Sequence, residues 1–559
     1  MKKLSARRPL VAASVLLSAA LVLCSCGGSS TTGKGNGDGN GGGTVEGGTA
    51  TVNLGGAPGS IDPQRAYAAG TQDSVWLAYT GLLTYARANG DAGTKVIPGL
   101  ATAMPTVSAD GTTYRLQLRP HLTYSNGTPV KASDFAYTVE RAIKLNWGGV
   151  SFFTFTVKGA QDYQAGKATK ISGIVTDDAT GKITIKLNAP YGPFDNVLAL
   201  SGAGLVPSGT PMKDLATDPP PGIGPYKISK VNGNYGFELT KVADFAKFKL
   251  PGIPAGHLDK VVIKTQSNAL SAAEDVMKNN VDAFDPSGGV PGSLLPTVKA
   301  QAGKRYQTET VPWIYYFWLN STIPPFNNEK ARLAVSTALD RKALTRLSSG
   351  QLAVACNFLP PGIAGHEDGG CTTQPNGPDL AKGKKMVSDA GLTGAPVTVW
   401  GMSVAPRDAY VNYYASLLTS LGFKVTTKLV APAVYSATVS NVTTKAQTGY
   451  GDWAQDFPHP ISFTLPISKF GIEANVNYGR VDDPVVEGTI TKYGPTSSSD
   501  LPSVADKFAA MDTHLNQKAL VLPFGYASLP KFLSDRIDYD KALFSPIYYN
   551  DYSSWQLVK

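Results

Sequence analysis

The stretch "IPGLATAMPTVSADGTTYRLQLRPHLTYSNGTPVKASDFAYTVERA", residues 97–142, carries the pattern that decides the fold. From Tyr114 to Leu118 apolar and polar residues alternate, which is the period of a half-buried strand. Asn126-Gly127 is a strong turn signal, and Ser133 is a candidate N-cap for a segment with apolar residues at helical spacing. The stretch therefore predicts a mixed α/β unit.

Three later stretches extend this α/β pattern along the chain. The segment "GIGPYKI" begins at Gly222, and "FWLNSTIPPFNNEKARLAVSTALDRKAL" contains a helix with Asn328 as candidate cap. In "VTVWGMSVAPRDAYVNYYASLLTSLGFKVTTKLV" a strand, a helix that stops at Gly422 and a second strand follow one another. Such a βαβ unit predicts parallel strands with a right-handed crossover.

These motifs, in this order, resemble the solute-binding lipoproteins that serve oligopeptide and dipeptide ABC importers, the bacterial extracellular solute-binding protein family 5. The resemblance runs from about residue 50 to the carboxyl end. It implies an α/β, periplasmic-binding-protein-like fold of type II, cluster C, with two lobes that close by hinge motion and an extra inserted subdomain. The predicted limits are 48–85, 191–312 and 518–559 for lobe I, 86–190 for the inserted subdomain and 313–517 for lobe II.

The amino terminus has the layout of a secretory signal peptide. Four basic residues precede an uncharged apolar run from Pro9 to Leu23. Cys26 follows the small residue Ser25, as in a lipobox, so residues 1–25 are expected to be removed and Cys26 to be lipidated. We expect a cell-membrane location, lipid-anchored on the extracytoplasmic side, with the Gly/Ser-rich residues 26–48 as a flexible tether. The alternative is an ordinary secreted protein, and the export route stays open between Sec and twin-arginine.

Charge and composition limit the classes of partner. The 559-residue chain has a formal net charge of +9, and the four signal-peptide cations leave about +5 for the rest. A mild excess spread over so long a chain does not indicate nucleic-acid binding. The resemblance implies a separate membrane permease as partner, and we expect a monomer without a cofactor.

Cys356 and Cys371 are the only cysteines after the predicted lipidation site. In an extracytoplasmic protein two cysteines fifteen residues apart most simply form a disulfide that staples a surface loop. His366 lies between them, so a zinc site is the alternative, although no further cluster of ligands is near in sequence. We therefore expect a disulfide and no metal.

The stretch "GYGDWAQDFPHP", residues 449–460, holds the principal candidate for ligand binding. In peptide-binding members of the family, a Trp-x-x-Asp stretch places its aspartate against the α-ammonium group of the peptide, and Trp453 with Asp456 matches that spacing. A charge-assisted hydrogen bond in a closed cleft would fix the ammonium group and leave side-chain readout loose. The alternative is that Asp456 caps or holds the proline turn.

Aromatic residues of "VPWIYYFWLN" are further candidates for the cleft. Alternation along a strand places Trp313, Tyr315 and Phe317 on one face and their neighbours on the other. Alignment with the family favours Tyr316 and Trp318 as ligand contacts, with core packing as the alternative. Arg407 is a candidate partner for a ligand carboxylate.

The resemblance thus predicts a binding protein that captures short peptides, and not an enzyme. A non-peptide solute such as an oligosaccharide or a metal chelate is the alternative within the binding class, because fold does not fix function. A cell-surface hydrolase is a further alternative. The sequence lacks Gly-x-Ser-x-Gly and His-Glu-x-x-His motifs, although separated carboxylates could still form an active site.

Overall fold

The computed structural model describes residues 43–67, 69–369 and 371–559. The predicted signal peptide, the lipidation site Cys26 and most of the predicted tether lie outside these residues. Residues 43–559 form one compact unit. Within the described part of the chain, no helix combines the length and the apolar character that a membrane span requires.

The first lobe is built around a five-stranded mixed sheet. Its strands, in order across the sheet, are Ala283–Phe284, Thr49–Leu54, Lys260–Thr265, Gly236–Lys241 and Tyr226–Ser229. The predicted Gly-x-Gly-Pro-Tyr segment leads into the last of these strands. A Cβ atom at Gly224 would lie 2.1 Å from the carbonyl oxygen of Leu77. A glycine is required there because the segment passes directly over helix Ala69–Ala78.

A smaller antiparallel sheet lies within the range predicted for the inserted subdomain. Its strands, in order, are Thr106–Val107, Thr113–Gln117, Lys182–Lys186 and Ile174–Asp177. The predicted strand and helix are both present, the helix spanning Ser133–Lys144. The predicted cap at Ser133 is wrong, because the helix is preceded by Ala132 and the Ser133 backbone N–H and hydroxyl bind Asp178.

The second lobe is built around a six-stranded mixed sheet. In order across the sheet, its strands are Leu352–Val354, Val521–Phe532, Tyr306–Leu319, Thr448–Ala454, Pro396–Met402 and Lys424–Val430. The last two strands are parallel and joined by helix Arg407–Leu421, as the βαβ pattern predicts. Gly422 ends this helix with φ of 106°, a conformation that glycine adopts at little energetic cost.

The predicted helix capped by Asn328 is present, and a second helix follows it. The first, Glu329–Ala338, is capped by Asn328, and the second, Arg341–Leu347, is capped by the Asp340 carboxylate, which accepts from the Ala343 N–H. The chain turns between them at Leu339.

Two long strands connect the cores of the lobes. Tyr306–Leu319 pairs antiparallel with Val521–Phe532. At one end the Tyr306 and Phe532 rings pack beside Phe284 of the first sheet. At the other end the chain enters the core of the second lobe. These strands therefore connect the two lobes, while the residue limits of lobe I, lobe II and the inserted subdomain stay a prediction.

Shorter elements complete the fold. Pairs of short strands are Thr44–Val45 with Leu557–Val558, Leu83–Tyr85 with Val96–Pro98, and Leu543–Ser545 with Tyr549–Asp551. The remaining α-helices are Ser151–Thr154, Ala160–Gln164, Phe194–Ala199, Ala269–Met277, Leu295–Gln301, Leu380–Asp389, Pro432–Ser440, Lys469–Glu473, Pro484–Tyr493 and Ala505–Gln517.

Cys356 and Cys371 form a disulfide, with their Cα atoms 4.8 Å apart. His366, between them in sequence, has its Nδ1 atom 2.7 Å from the carbonyl oxygen of Leu359. Across residues 43–67, 69–369 and 371–559, no group of three or more His, Cys, Asp or Glu side chains is arranged to hold a metal ion.

Replacement of both cysteines by serine (C356S/C371S) should lower the free energy of unfolding by about 3 kcal/mol, because the cross-link restricts the unfolded chain. Urea unfolding followed by circular dichroism measures this change. Reducing agent should lower the stability of the wild-type domain by a similar amount and leave the double variant unchanged. An equal response of both proteins to the reducing agent would contradict this role for the disulfide.

Candidate functional site

A cavity of about 630 Å³ lies between the lobes and is the candidate ligand site. Asp452 and Asp456 contribute its carboxylates. Aromatic side chains from both lobes and from the inserted subdomain form much of the rest of its wall: Phe152, Trp313, Trp453, Phe470, Tyr548 and Tyr549. Concave sites with apolar walls and a few polar groups are typical of small-ligand binding.

The strand Thr448–Ala454 brings Trp453 and Asp456 to this cavity. It pairs with Tyr306–Leu319, and the chain then leaves the sheet in a turn. Ser462 fixes that turn, because its carbonyl accepts from Trp453 Nε1 at 2.7 Å and its hydroxyl accepts from the Asp456 backbone N–H at 2.7 Å. The Trp-x-x-Asp spacing therefore places both side chains in one wall of the cavity.

The proline turn is capped by His459 and not by the Asp456 side chain. The Nδ1 atom of His459 accepts from the Ile461 N–H at 3.1 Å, at the start of the short 3₁₀-helix Pro460–Phe463. Burial lowers the pKa of His459 to about 4, which keeps the ring neutral and able to accept. The alternative role for Asp456, that of a turn cap, is thus filled by a different residue.

Asp456 instead makes a contact with the first lobe. The hydroxyl of Tyr67 donates to its Oδ1 atom across a sequence distance of 389 residues. Burial raises the pKa of Asp456 to about 6, and hydrogen bonds from Tyr67 and Ser462 oppose part of that rise. Burial and the nearby Asp456 carboxylate raise the pKa of Tyr67 well above its usual value, so its hydroxyl is a donor at neutral pH.

Tyr67 was not identified from sequence, because no motif surrounds it. Its ring packs edge-on against Trp147 with centroids 5.5 Å apart, and its carbonyl accepts from Gln72 Nε2 at 2.8 Å. A Cβ atom at Gly148 would lie 2.3 Å from the ring. The Tyr67 hydroxyl is therefore held at the cavity by neighbours from two separate segments.

Arg407, the candidate partner for a ligand carboxylate, is engaged within the protein in this conformation, and its role toward a ligand stays a prediction. Its Nε and Nη2 atoms donate to Asp452 Oδ2 at 3.2 and 2.9 Å, and Nε also donates to the Tyr450 hydroxyl at 3.1 Å. The positive charge of the guanidinium group is thus balanced by the Asp452 carboxylate within the protein. It holds Asp452 in the wall of the cavity.

The structure places Tyr316 and Trp318 in the hydrophobic core and not in the cavity wall. Each is 2% exposed, and Trp318 Nε1 donates to the Tyr450 carbonyl at 2.9 Å. The ring of Tyr316 packs over Gly451, where a Cβ atom would lie 2.6 Å from it. The predicted alternation along the strand is present, and the burial of these two residues agrees with the alternative of core packing, while their role as ligand contacts stays a prediction. Trp313, on the opposite face, lines the cavity.

A hairpin near the carboxyl end forms a wall that the sequence did not predict. Its two strands are Leu543–Ser545 and Tyr549–Asp551. The Tyr548 hydroxyl accepts from the Ser201 N–H at 3.0 Å, and the Pro546 carbonyl accepts from Gln455 Nε2 at 2.8 Å. The hairpin therefore contacts both lobes beside the cavity.

Curated relatives of this chain are named for the binding of oligopeptides or of glutathione. The oligopeptide-binding protein OppA of Bacillus subtilis (strain 168) is 26% identical over 367 residues, which cover 63% of this chain and 64% of that protein. The glutathione-binding protein GsiB of Salmonella typhi is 26% identical over 374 residues, which cover 62% of this chain and 66% of that protein. The matched part spans less than two thirds of either relative.

Comparison with solved structures and with a family profile identifies the fold and the family. The protein named clavulanic acid biosynthesis oligopeptide binding protein 2 superimposes with a TM-score of 0.84 at 22% identity, covering 92% of this chain and 96% of that one. This likeness confirms the predicted two-lobe fold. The profile described as bacterial extracellular solute-binding proteins, family 5 Middle, matches residues 95–473, more than half of the sequence. The chain belongs to the bacterial extracellular solute-binding proteins, family 5.

Proposed function

We propose that this protein captures short peptides in the cavity between its lobes and delivers them to the permease of an ABC importer. The observation that carries the proposal is the Asp456 carboxylate, which lines the cavity among aromatic side chains. A peptide α-ammonium group is a cation common to all unmodified peptides. Its pairing with Asp456 would provide one fixed point of recognition, whatever side chains the peptide carries.

The physical chemistry of the cavity favours a cationic ligand. The pKa of Asp456 is raised chiefly by burial, so the carboxylate lacks solvation that a cation could replace. An ammonium group enclosed with it would form a pair in a medium of low dielectric constant, where the attraction is stronger than in water. The aromatic walls would cover the apolar parts of the peptide.

The location and partners form part of the same proposal. Lipidation of Cys26 would hold the protein at the outer face of the cell membrane, and the permease would be a separate polypeptide. The names of the related OppA and of the structural neighbour refer to oligopeptide binding, which supports a peptide as the ligand here. Binding and release, without chemical change of the ligand, would be the activity.

A pool of short peptides should bind to the compact unit of residues 43–559. Acetylation of the peptide amino termini should weaken binding by about 2–5 kcal/mol, roughly thirtyfold or more in Kd. Asp456→Asn should weaken binding of the free-amine pool by a similar factor, because each change removes one partner of the same pair. Isothermal titration calorimetry measures both effects.

The acetylated pool should bind wild type and Asp456→Asn with the same weak affinity. Asp389→Asn is the matched control, because Asp389 pairs with Lys385 on an exposed helix surface away from the cavity. It should bind the free-amine pool as wild type does. Equal binding of the free and acetylated pools to wild type would contradict the assignment of Asp456 as the partner of the α-ammonium group.

Peptide affinity should fall as the pH decreases through about 6. Asp456 pairs with the ammonium group only as an anion, and its pKa in the ligand-free protein is about 6. Below that pH the bound state must lose a proton that the free protein holds, so Kd should rise by about tenfold per pH unit. Kd measured from about pH 5 to 7 tests this, since the α-ammonium group stays charged in that range. A flat profile would show that another group binds the ammonium.

Amidation of the peptide carboxyl terminus should change Kd by less than about fivefold, the contribution of an exposed ion pair. The reason is that the Arg407 guanidinium is already engaged by Asp452 and Tyr450. Titration of matched acid and amide pools measures the effect. A large preference for the acid that disappears in Arg407→Gln would show that Arg407 leaves Asp452 to bind the ligand.

A further inference from the structure

Two polar atoms in the side chains that line the cavity are buried without a hydrogen-bond partner among the described residues. They are Trp313 Nε1, which can only donate, and Gln455 Oε1, which can only accept. Buried polar atoms in folded proteins nearly always have a partner, so an unpaired donor and an unpaired acceptor in one wall need an explanation.

The backbone brings these two side chains next to Asp456. Trp313 pairs with Ala454 across the sheet, and the Gln455 N–H donates to the Pro312 carbonyl at 2.9 Å. Gln455 directly precedes Asp456 in sequence. The donor, the acceptor and the carboxylate therefore come from one continuous patch at the end of strand Thr448–Ala454.

The Gln455 side chain is held in one orientation. Its Nε2 atom donates to the Pro546 carbonyl at 2.8 Å. This bond assigns the amide nitrogen to the hairpin Leu543–Asp551 and leaves Oε1 as the atom without a partner. The acceptor is thus positioned by a contact that does not depend on a ligand.

We infer that Trp313 and Gln455 bind the first peptide unit of the ligand, an inference that rests on the proposed function. The Trp313 indole N–H donates to the first carbonyl oxygen, and Gln455 Oε1 accepts from the amide N–H that follows. The α-ammonium group, this carbonyl and this N–H lie within one residue length of each other, about 3.8 Å. The ligand class is therefore an α-amino amide, in contrast to a simple amine or an amino sugar.

A backbone ester in place of the first peptide bond tests this inference. The ester lacks the N–H and has a weaker acceptor carbonyl, but it keeps the ammonium group and the side chains. In wild type, a tripeptide pool with an ester at the first linkage should bind about tenfold more weakly than the all-amide pool, because one buried acceptor loses its partner. An ester at the second linkage should have a smaller effect.

Variants assign the effect to the two side chains. Gln455→Leu removes the acceptor, so the difference in affinity between the all-amide pool and the first-linkage ester pool should be smaller in this variant than in wild type. Trp313→Phe removes the donor and keeps an aromatic wall, and it should weaken binding of the all-amide pool. Trp400→Phe is the matched control, because Trp400 Nε1 is also buried without a partner in the described chain but lies outside the cavity lining. It should bind as wild type does.

Three outcomes separate this inference from the function on which it rests. Loss of affinity with the first-linkage ester in wild type, together with a smaller loss in Gln455→Leu, supports the inference. Equal binding of the amide and first-linkage ester pools to wild type overturns it while peptide binding stands, and so does an ester effect of the same size in Gln455→Leu as in wild type. Failure of all three pools to bind overturns the proposed function, and the role of Trp313 and Gln455 with it.

Discussion

The antiparallel pairing of Tyr306–Leu319 with Val521–Phe532 is the constraint on which the rest of the structure depends. One end of this pair packs against the first sheet, through Phe532 and Phe284, and the other end lies in the core of the second lobe. The strand Thr448–Ala454 adds to the free side of the pair and ends at the cavity. The position of the candidate site therefore follows from the same strands that connect the lobes.

Features that depend on nearby residues could be predicted from the sequence. The alternation around Tyr114, the βαβ unit that stops at Gly422 and the spacing of Trp453 and Asp456 are all local patterns. Each is present in the structure, because local backbone preference and packing agree there. The cap at Ser133 was wrong, since cap positions depend on contacts that periodicity does not show.

Features that depend on distant residues could not be predicted. Alternation gives a strand two faces but does not say which face is buried. The burial of the Tyr316 ring depends on the absence of a side chain at Gly451, in the neighbouring strand. The pairing of Arg407 with Asp452 and the contact of Tyr67 with Asp456 likewise join separate segments. No local pattern in a single sequence records such contacts.

Under the proposed function, the electrostatics of Asp456 would connect ligand binding with the contact between the lobes. Tyr67 donates to this carboxylate and the Ser462 hydroxyl lies beside it, yet burial still raises its pKa, so neutral hydroxyl groups replace only part of the lost solvation. A cation stabilises a buried anion more than a hydroxyl does, because the charge–charge attraction grows as the local dielectric constant falls. The Tyr67 hydroxyl and a ligand ammonium group can share the carboxylate, since it has several acceptor positions. Binding of a cation at Asp456 would then keep this carboxylate ionised, and an ionised carboxylate accepts the hydrogen bond from Tyr67, across the lobes, more strongly. The burial that disfavours the isolated carboxylate would in this way favour the closed, ligand-bound state.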